Sequence, residues 1–213
     1  MVPEPGVEPG AQLRESYEAK AVSELAAADA LVTGSAAIAG SGALFADVVL
    51  LKGHPGEEDR AAGRALAGAD GQAADKVLVA LGIVPARAWR MCTRVTGTGG
   101  RDAGAGASAG TGDHVTGVGA GMDSDDDAAE MRARRVELAV EAVDPDLVIA
   151  LDPEAGQDLA RAFGLARLEA GVPAEVRGRV IGAVSGLAAS LGDERAKARV
   201  WVEFRAVAGE RHA

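Results

Sequence analysis

The chain has 213 residues, a formal net charge of −10 and an apolar fraction of 48%, but only 3% aromatic residues. That length suits one sizeable domain with a full core, which here must be built from Ala, Val and Leu. The acidity works against tight binding to phosphate backbones, and a single cysteine, Cys92, excludes an internal disulfide and any multi-cysteine metal site.

Residues 1–11 hold three prolines and little apolar material, and are expected to be a disordered tail. They carry no basic start followed by an apolar run, so a secretory signal is not expected. No apolar run approaches the roughly 20 residues needed to span a bilayer. A cytoplasmic protein with no membrane partner is the expectation.

Residues 12–31 are rich in helix formers with a Leu/Val/Ala face, which predicts an amphipathic helix. Residues 33–46 are small and Gly-rich and read as a loop. "DVVLL" at 47–51 reads as a buried parallel strand. Residues 68–83 predict a helix with Ala73, Val77, Leu78 and Leu81 on one face and Gly82 at its end. "AWRMCTRV" at 88–95 reads as a second strand.

Residues 96–127 are dominated by Gly, Ala, Ser and Thr and end in an acidic run. Such a segment cannot bury enough apolar area to offset its ordering entropy, and is expected to be a flexible surface insertion. A helix is predicted over 127–143, with Asp125 to Asp127 near its start and Pro145 beyond its end. "DLVIALD" at 146–152 is a third strand, "EAGQDLARAFGL" a short helix, and "RGRVIGAV" at 177–184 a fourth strand. Residues 193–208 fit a helix capped by Asp193 with Val200, Trp201, Phe204 and Val207 on one face, although "RVWVEF" alone also fits a strand.

Strands alternating with helices imply an α/β fold, a three-layer α/β/α sandwich on a central parallel sheet of about four strands. Residues 12–208 form its single domain. Ligands of such sheets bind beyond the carboxyl ends of strands. That rule selects Lys52 to Asp59, Thr93 to Thr96, Asp152 and Ser185.

The stretches "KGHPGEED" and "AGRALAGADGQAADKVLVALGI", followed by "AWRMCTRV" and "VDPDLVIALDPEAGQDLARAFG", resemble the uracil-DNA glycosylase superfamily, in particular its family-4-like, iron–sulfur branch. Members carry a strand, a Gly-Glu-Ala-Pro-Gly loop, acids, a Gly-Arg-Pro-Phe segment and a Gly-x-Ala-Gly-x-x-Leu-Asp helix. The resemblance covers roughly residues 20–205. Its most specific part is 52–82, where Pro55, Gly56, Asp59, Gly63, Arg64, Gly68, Gly71, Gln72 and Asp75 keep the family's spacing. It implies the glycosylase fold and a pocket formed by Gly53, His54, Pro55, Gly56, Leu66, Thr93 and Ser185.

The same resemblance implies that the chemistry has been lost. Gly53 stands where the family's water-activating carboxylate belongs, and glycine can neither accept a proton nor orient water through a side chain. Leu66 replaces the aromatic that stacks on a flipped uracil. Thr93 replaces the asparagine that reads the uracil edge, and a hydroxyl lacks the amide's planar donor–acceptor pair. Ser185 and Gly186 stand where a His-Pro pair would stabilise the uracil anion. The cluster cysteines are absent, so no iron–sulfur cluster and no other cofactor is expected.

His54 and Ser185 remain as candidate catalytic residues, His54 as a base or nucleophile beside the pocket. His114 lies in an insertion comparable to one that carries a crosslinking histidine in another branch, but Arg101 is the only Lys or Arg from 96 to 127, and a solvated loop histidine is the simpler reading. Glu57, Glu58 and Asp59 are expected to be solvated charge, and "DSDDD" at 123–127, which lacks the ligand spacing of a calcium loop, is expected to cap a helix and aid solubility. Arg132, Arg134 and Arg135 read as one helix's charged face, and Trp89 and Trp201 as core anchors. The expected function is a catalytically degenerate glycosylase-like protein in a DNA-repair setting, contacting DNA weakly or an unidentified protein partner. Two alternatives stand beside it: an active DNA glycosylase of altered base specificity, and a protein-interaction module unrelated to DNA.

Overall fold

The computed structural model describes residues 9–31, 38–94 and 123–209. The His114 loop, nearly all of the expected insertion and most of the expected N-terminal tail lie outside the described residues. Their order along the chain is α1 (Pro9–Ala30), β1 (Ser41–Gly42), β2 (Val48–Lys52), α2 (Glu57–Ala62), α3 (Ala69–Ala80), β3 (Ala88–Cys92) and α4 (Asp123–Val143). There follow β4 (Leu147–Ala150), α5 (Pro153–Ala162), β5 (Ala174–Val176), β6 (Arg179–Ala183), α6 (Leu187–Ser190) and α7 (Glu194–Ala208).

The strands form one sheet in the order β1-β3-β2-β4-β6-β5. The inner strands β3, β2, β4 and β6 are parallel, in the number expected, and β1 and β5 close the two sides antiparallel. These outer strands were not expected. Ser41–Gly42 is too short to carry a pattern, and β5 is a three-residue, partly exposed strand.

Alternation along the strands sorts the core into two layers. Val49, Leu51, Met91, Val148, Ala150 and Ile181 face α1, α4 and α5, where Leu25, Val136, Val140 and Leu159 receive them. Val48, Leu50, Leu147 and Ile149 face the other way, onto Leu78 of α3 and Val200, Phe204 and Val207 of α7. The ambiguous 193–208 segment is therefore a helix, capped as expected by Asp193, whose side chain accepts from the Arg195 N–H. An i, i+4, i+7 row of apolar residues is buried by a helix here and would be split between faces by a strand.

Several expectations shift. Helix α1 begins at Pro9, inside the expected tail, and α4 begins at Asp123, so the acidic run forms its first turns. Asp and Glu near a helix N-terminus offset the positive end of its dipole. The buried face of α3 is Asp70, Gly71, Ala74 and Leu78, about one residue round from the expected face; Ala73, Val77 and Leu81 are half-buried beside it. Trp89 is buried as a core anchor, whereas Trp201 is only half-buried.

The trio Arg132, Arg134 and Arg135 does not form one solvated face. Arg134 is exposed, but Arg135 is 1% exposed and donates to Asp29 Oδ1 (2.7 Å), the Cys92 carbonyl (2.5 Å) and the Ile38 carbonyl (3.1 Å). One guanidinium thus joins α1, the end of β3 and the segment before β1 to α4.

Candidate functional site

The site expected at the carboxyl edge of the sheet is built around Lys52. Continuing the row of Val48 and Leu50, this side chain faces α3. Its ammonium reaches Asp59 Oδ2 at 2.6 Å and Asp70 Oδ2 at 2.5 Å. Asp59 is not solvated charge: it is 1% exposed. Its Oδ2 also accepts from the Gly56 N–H and its Oδ1 from the Ala67 N–H, both at 2.8 Å. One carboxylate therefore caps α2, holds the 66–67 turn and pairs with the strand's terminal lysine.

Gly71 and Leu66 shape the turn that leads into α3. A Cβ on Gly71 would lie 1.8 Å from the Leu66 carbonyl oxygen, so only glycine lets the turn close against α3. Leu66 itself is held at φ 57°, in the left-handed region.

Asp152 closes the site from the next strand. Its Oδ1 accepts from the Ala155 N–H, as the N-cap of α5, and its Oδ2 from the Gly53 N–H, both at 2.8 Å. A Cβ on Gly53 would lie 2.8 Å from Asp152 Oδ1 and 2.8 Å from Glu154 Cβ. The space beside Gly53 is thus already filled from across the sheet. Lys52, Leu66, Asp70, Leu151, Asp152, Leu187 and Ala188 enclose a cavity of only about 10 Å³, room for about one water.

Gly53 and Pro55 are buried beside this cluster, Gly56 is half-buried, and His54 is exposed with no hydrogen bond to a described residue. Thr93 and Ser185 are not brought to the cavity. Thr93 continues the Met91 row towards α5, where its hydroxyl donates to Asp158 Oδ2 at 2.6 Å; Arg94 (3.0 Å) and Arg132 (3.4 Å) bind the same carboxylate. Ser185 is exposed, lines a separate cleft along α5 of about 540 Å³, and donates its N–H to Glu203.

Electrostatics follow from this packing. For Asp59, burial opposes ionisation, but the Lys52 ammonium and the two N–H donors outweigh it and hold the carboxyl below its ordinary 3.8. Burial likewise opposes the Lys52 charge, and the two carboxylates outweigh it and raise the amine above 10.5. Asp152 moves the other way: burial raises it in spite of the donors from Ala155 and Gly53. Burial pushes the Cys92 thiol up to about 12, so it stays an unreactive thiol. Among the described residues no group of three or more His, Cys, Asp or Glu side chains is placed to hold a metal ion.

The linkage has a definite sign. The Asp59 contribution to stability is complete above its ordinary 3.8 and vanishes as pH falls through its lower folded value. The Lys52 contribution is complete below 10.5 and vanishes as pH rises through its higher folded value. Asp152 contributes with opposite sign, its ionisation costing stability as pH rises through its raised value. Urea unfolding followed between about pH 5 and pH 2.5 should show a steeper loss in the wild type than in Asp59→Asn, in which this titration is removed.

Sequence reasoning did select Asp152, from the strand-end rule, and the loop around Lys52. It did not find the pairing of Lys52 with Asp59 and Asp70. The available signal was a lone lysine closing an apolar strand, on the face that α3 covers. No protein-family model matches this chain, and no curated protein is significantly similar to it.

Proposed function

We propose that this chain is a uracil-DNA glycosylase-like scaffold that no longer excises bases and serves in binding. The observation that carries this reading is the contrast around residues 52–71. The positions that shape the loop have structural work: Gly56 and Asp59 in the α2 cap, Gly71 under the Leu66 carbonyl. The positions that would do chemistry do not converge, and the cavity of about 10 Å³ is far below the few hundred Å³ of a ligand pocket.

Charge supports the same reading. Glu57, Glu58 and Glu154 are exposed around the loop, and an acidic rim repels the phosphates flanking a flipped base. DNA contact is expected to be weak and, with few phosphates neutralised, to fall only modestly with salt.

The decisive assay incubates the protein with single- and double-stranded oligonucleotides containing uracil, hypoxanthine or xanthine, then cleaves abasic sites with alkali. No strand scission is expected. Scission that disappears in His54→Ala would overturn the proposal in favour of a glycosylase of altered specificity. Absent DNA binding, or binding insensitive to salt, would favour an interaction module unrelated to DNA.

Restoring the missing carboxylate should not restore activity. Gly53→Asp forces a side chain into the space held by Asp152 and Glu154 and sets a new carboxylate at a buried position against that of the half-buried Asp152. It should lower stability by about 2 kcal/mol or more, read as a reduced urea midpoint, with the oligonucleotide assay still blank.

A further inference from the structure

We propose that the groove between α3 and α7 binds a small aromatic anion. The groove has a volume of about 460 Å³, within the range of small-molecule sites. Its apolar surface comes from Val77 on α3, Leu187 on α6, and Val200 and Trp201 on α7, with Lys76 and Lys197 on its two walls. It adjoins the closed cavity, sharing Leu187 with it. The proposal does not depend on glycosylase ancestry.

Charge identifies the anion. The chain carries 32 acidic against 22 basic residues, yet no acidic side chain lines this groove. Lys76 forms no ion pair among the described residues. Lys197 pairs only with Glu194, at 2.6 Å and with both side chains exposed (42% and 88%), a contact worth little in water and readily exchanged. The other open clefts differ. Along α5, Arg161 and Arg167 are already paired with Asp126 and Glu169. Between α4 and α5, Asp125, Asp126 and Asp158 stand against Arg94, Arg132 and Arg161.

Trp201 identifies the ring. It is half-buried, its indole N–H makes no hydrogen bond to a described residue, and it is the only aromatic lining the groove. An indole face beside aliphatic side chains favours a flat apolar body, with offset or edge contacts adding to the area buried. One anionic group on that body would meet the two ammonium groups.

The test titrates the full chain with 1-naphthoate, 1-naphthyl phosphate and the neutral 1-naphthamide. It follows the two tryptophan indole N–H resonances by NMR, with Trp201→Phe assigning them, and the affinities by calorimetry. Either anion should shift the Trp201 signal and leave that of the buried Trp89 in place; which anion binds tighter distinguishes a carboxylate from a phosphate ligand. Lys76→Gln with Lys197→Gln should weaken the anions about tenfold, the loss of two exposed ion pairs, and leave the amide unchanged. An unmoved Trp201 resonance at millimolar probe, equal affinity for amide and anions, or anion affinity unchanged in the double variant would each overturn the proposal.

Discussion

Lys52→Met should lower the unfolding free energy by about 3 kcal/mol, a fall in Tm of roughly 6–12 °C for a chain of this size. Methionine keeps the apolar stem against Leu50 and α3, so the loss isolates the charge. The side chains left behind are the problem: Asp59 and Asp70 are 1% and 9% exposed, and without the ammonium two carboxylates face each other with little water. Removing one member of a buried ion pair costs more than the pair contributes, because the remaining charge stays desolvated. Thermal and urea unfolding measure the effect. A cost below about 1 kcal/mol would show that water reaches the carboxylates and that Lys52 is dispensable to the loop.

Arg135→Met should have a comparable or larger effect, about 3 kcal/mol or more. The guanidinium is 1% exposed and serves acceptors on separate parts of the chain. Asp29 is 34% exposed and can turn to water when its partner goes. The Cys92 and Ile38 carbonyls, bonded to a buried group, would be left unsatisfied. Lysine offers three donors from one nitrogen and cannot span the same acceptors, so Arg135→Lys should recover only part of the loss. Hydrogen exchange should localise the damage. Amides of α1 and of β1 should lose protection before those of β4 and β6.

The inner strands were legible because their signal is dense: the short apolar runs of β2 and β4, and the β3 run broken only by Arg90, are bounded by loop residues and alternate with helical segments, the pattern of a buried parallel sheet. The outer strands were not. β5 is held by pairing with β6, across a turn in which Arg177 (φ 52°) and Gly178 (φ 80°) both take positive φ. Of those two residues only the glycine advertises that conformation. The polar residues that the fold encloses wholly or partly divide in the same way. Asp152 follows from the strand-end rule, and the turn of Thr93 towards α5 follows from strand alternation once β3 is placed. Arg135 and Asp59 do not follow from anything local. Each sits among like residues, three arginines within four positions and three acids in a row, and only the tertiary partners decide which one is inside. Charge patterning reads a helix face, but it does not read what packs on it.

The two short antiparallel strands have a consequence for the molecule among its neighbours. A parallel sheet ending on β3 or β6 would present a full row of unsatisfied N–H and C=O groups, a template on which another chain could add itself. Ser41–Gly42 covers Trp89 and Arg90 on one such margin and Ala174–Val176 covers the other, and each is a short template for a further strand. Glu175 and Arg177 add charge along the β5 side. Both short strands, with the charges beside β5, work against growth of the sheet by strand addition.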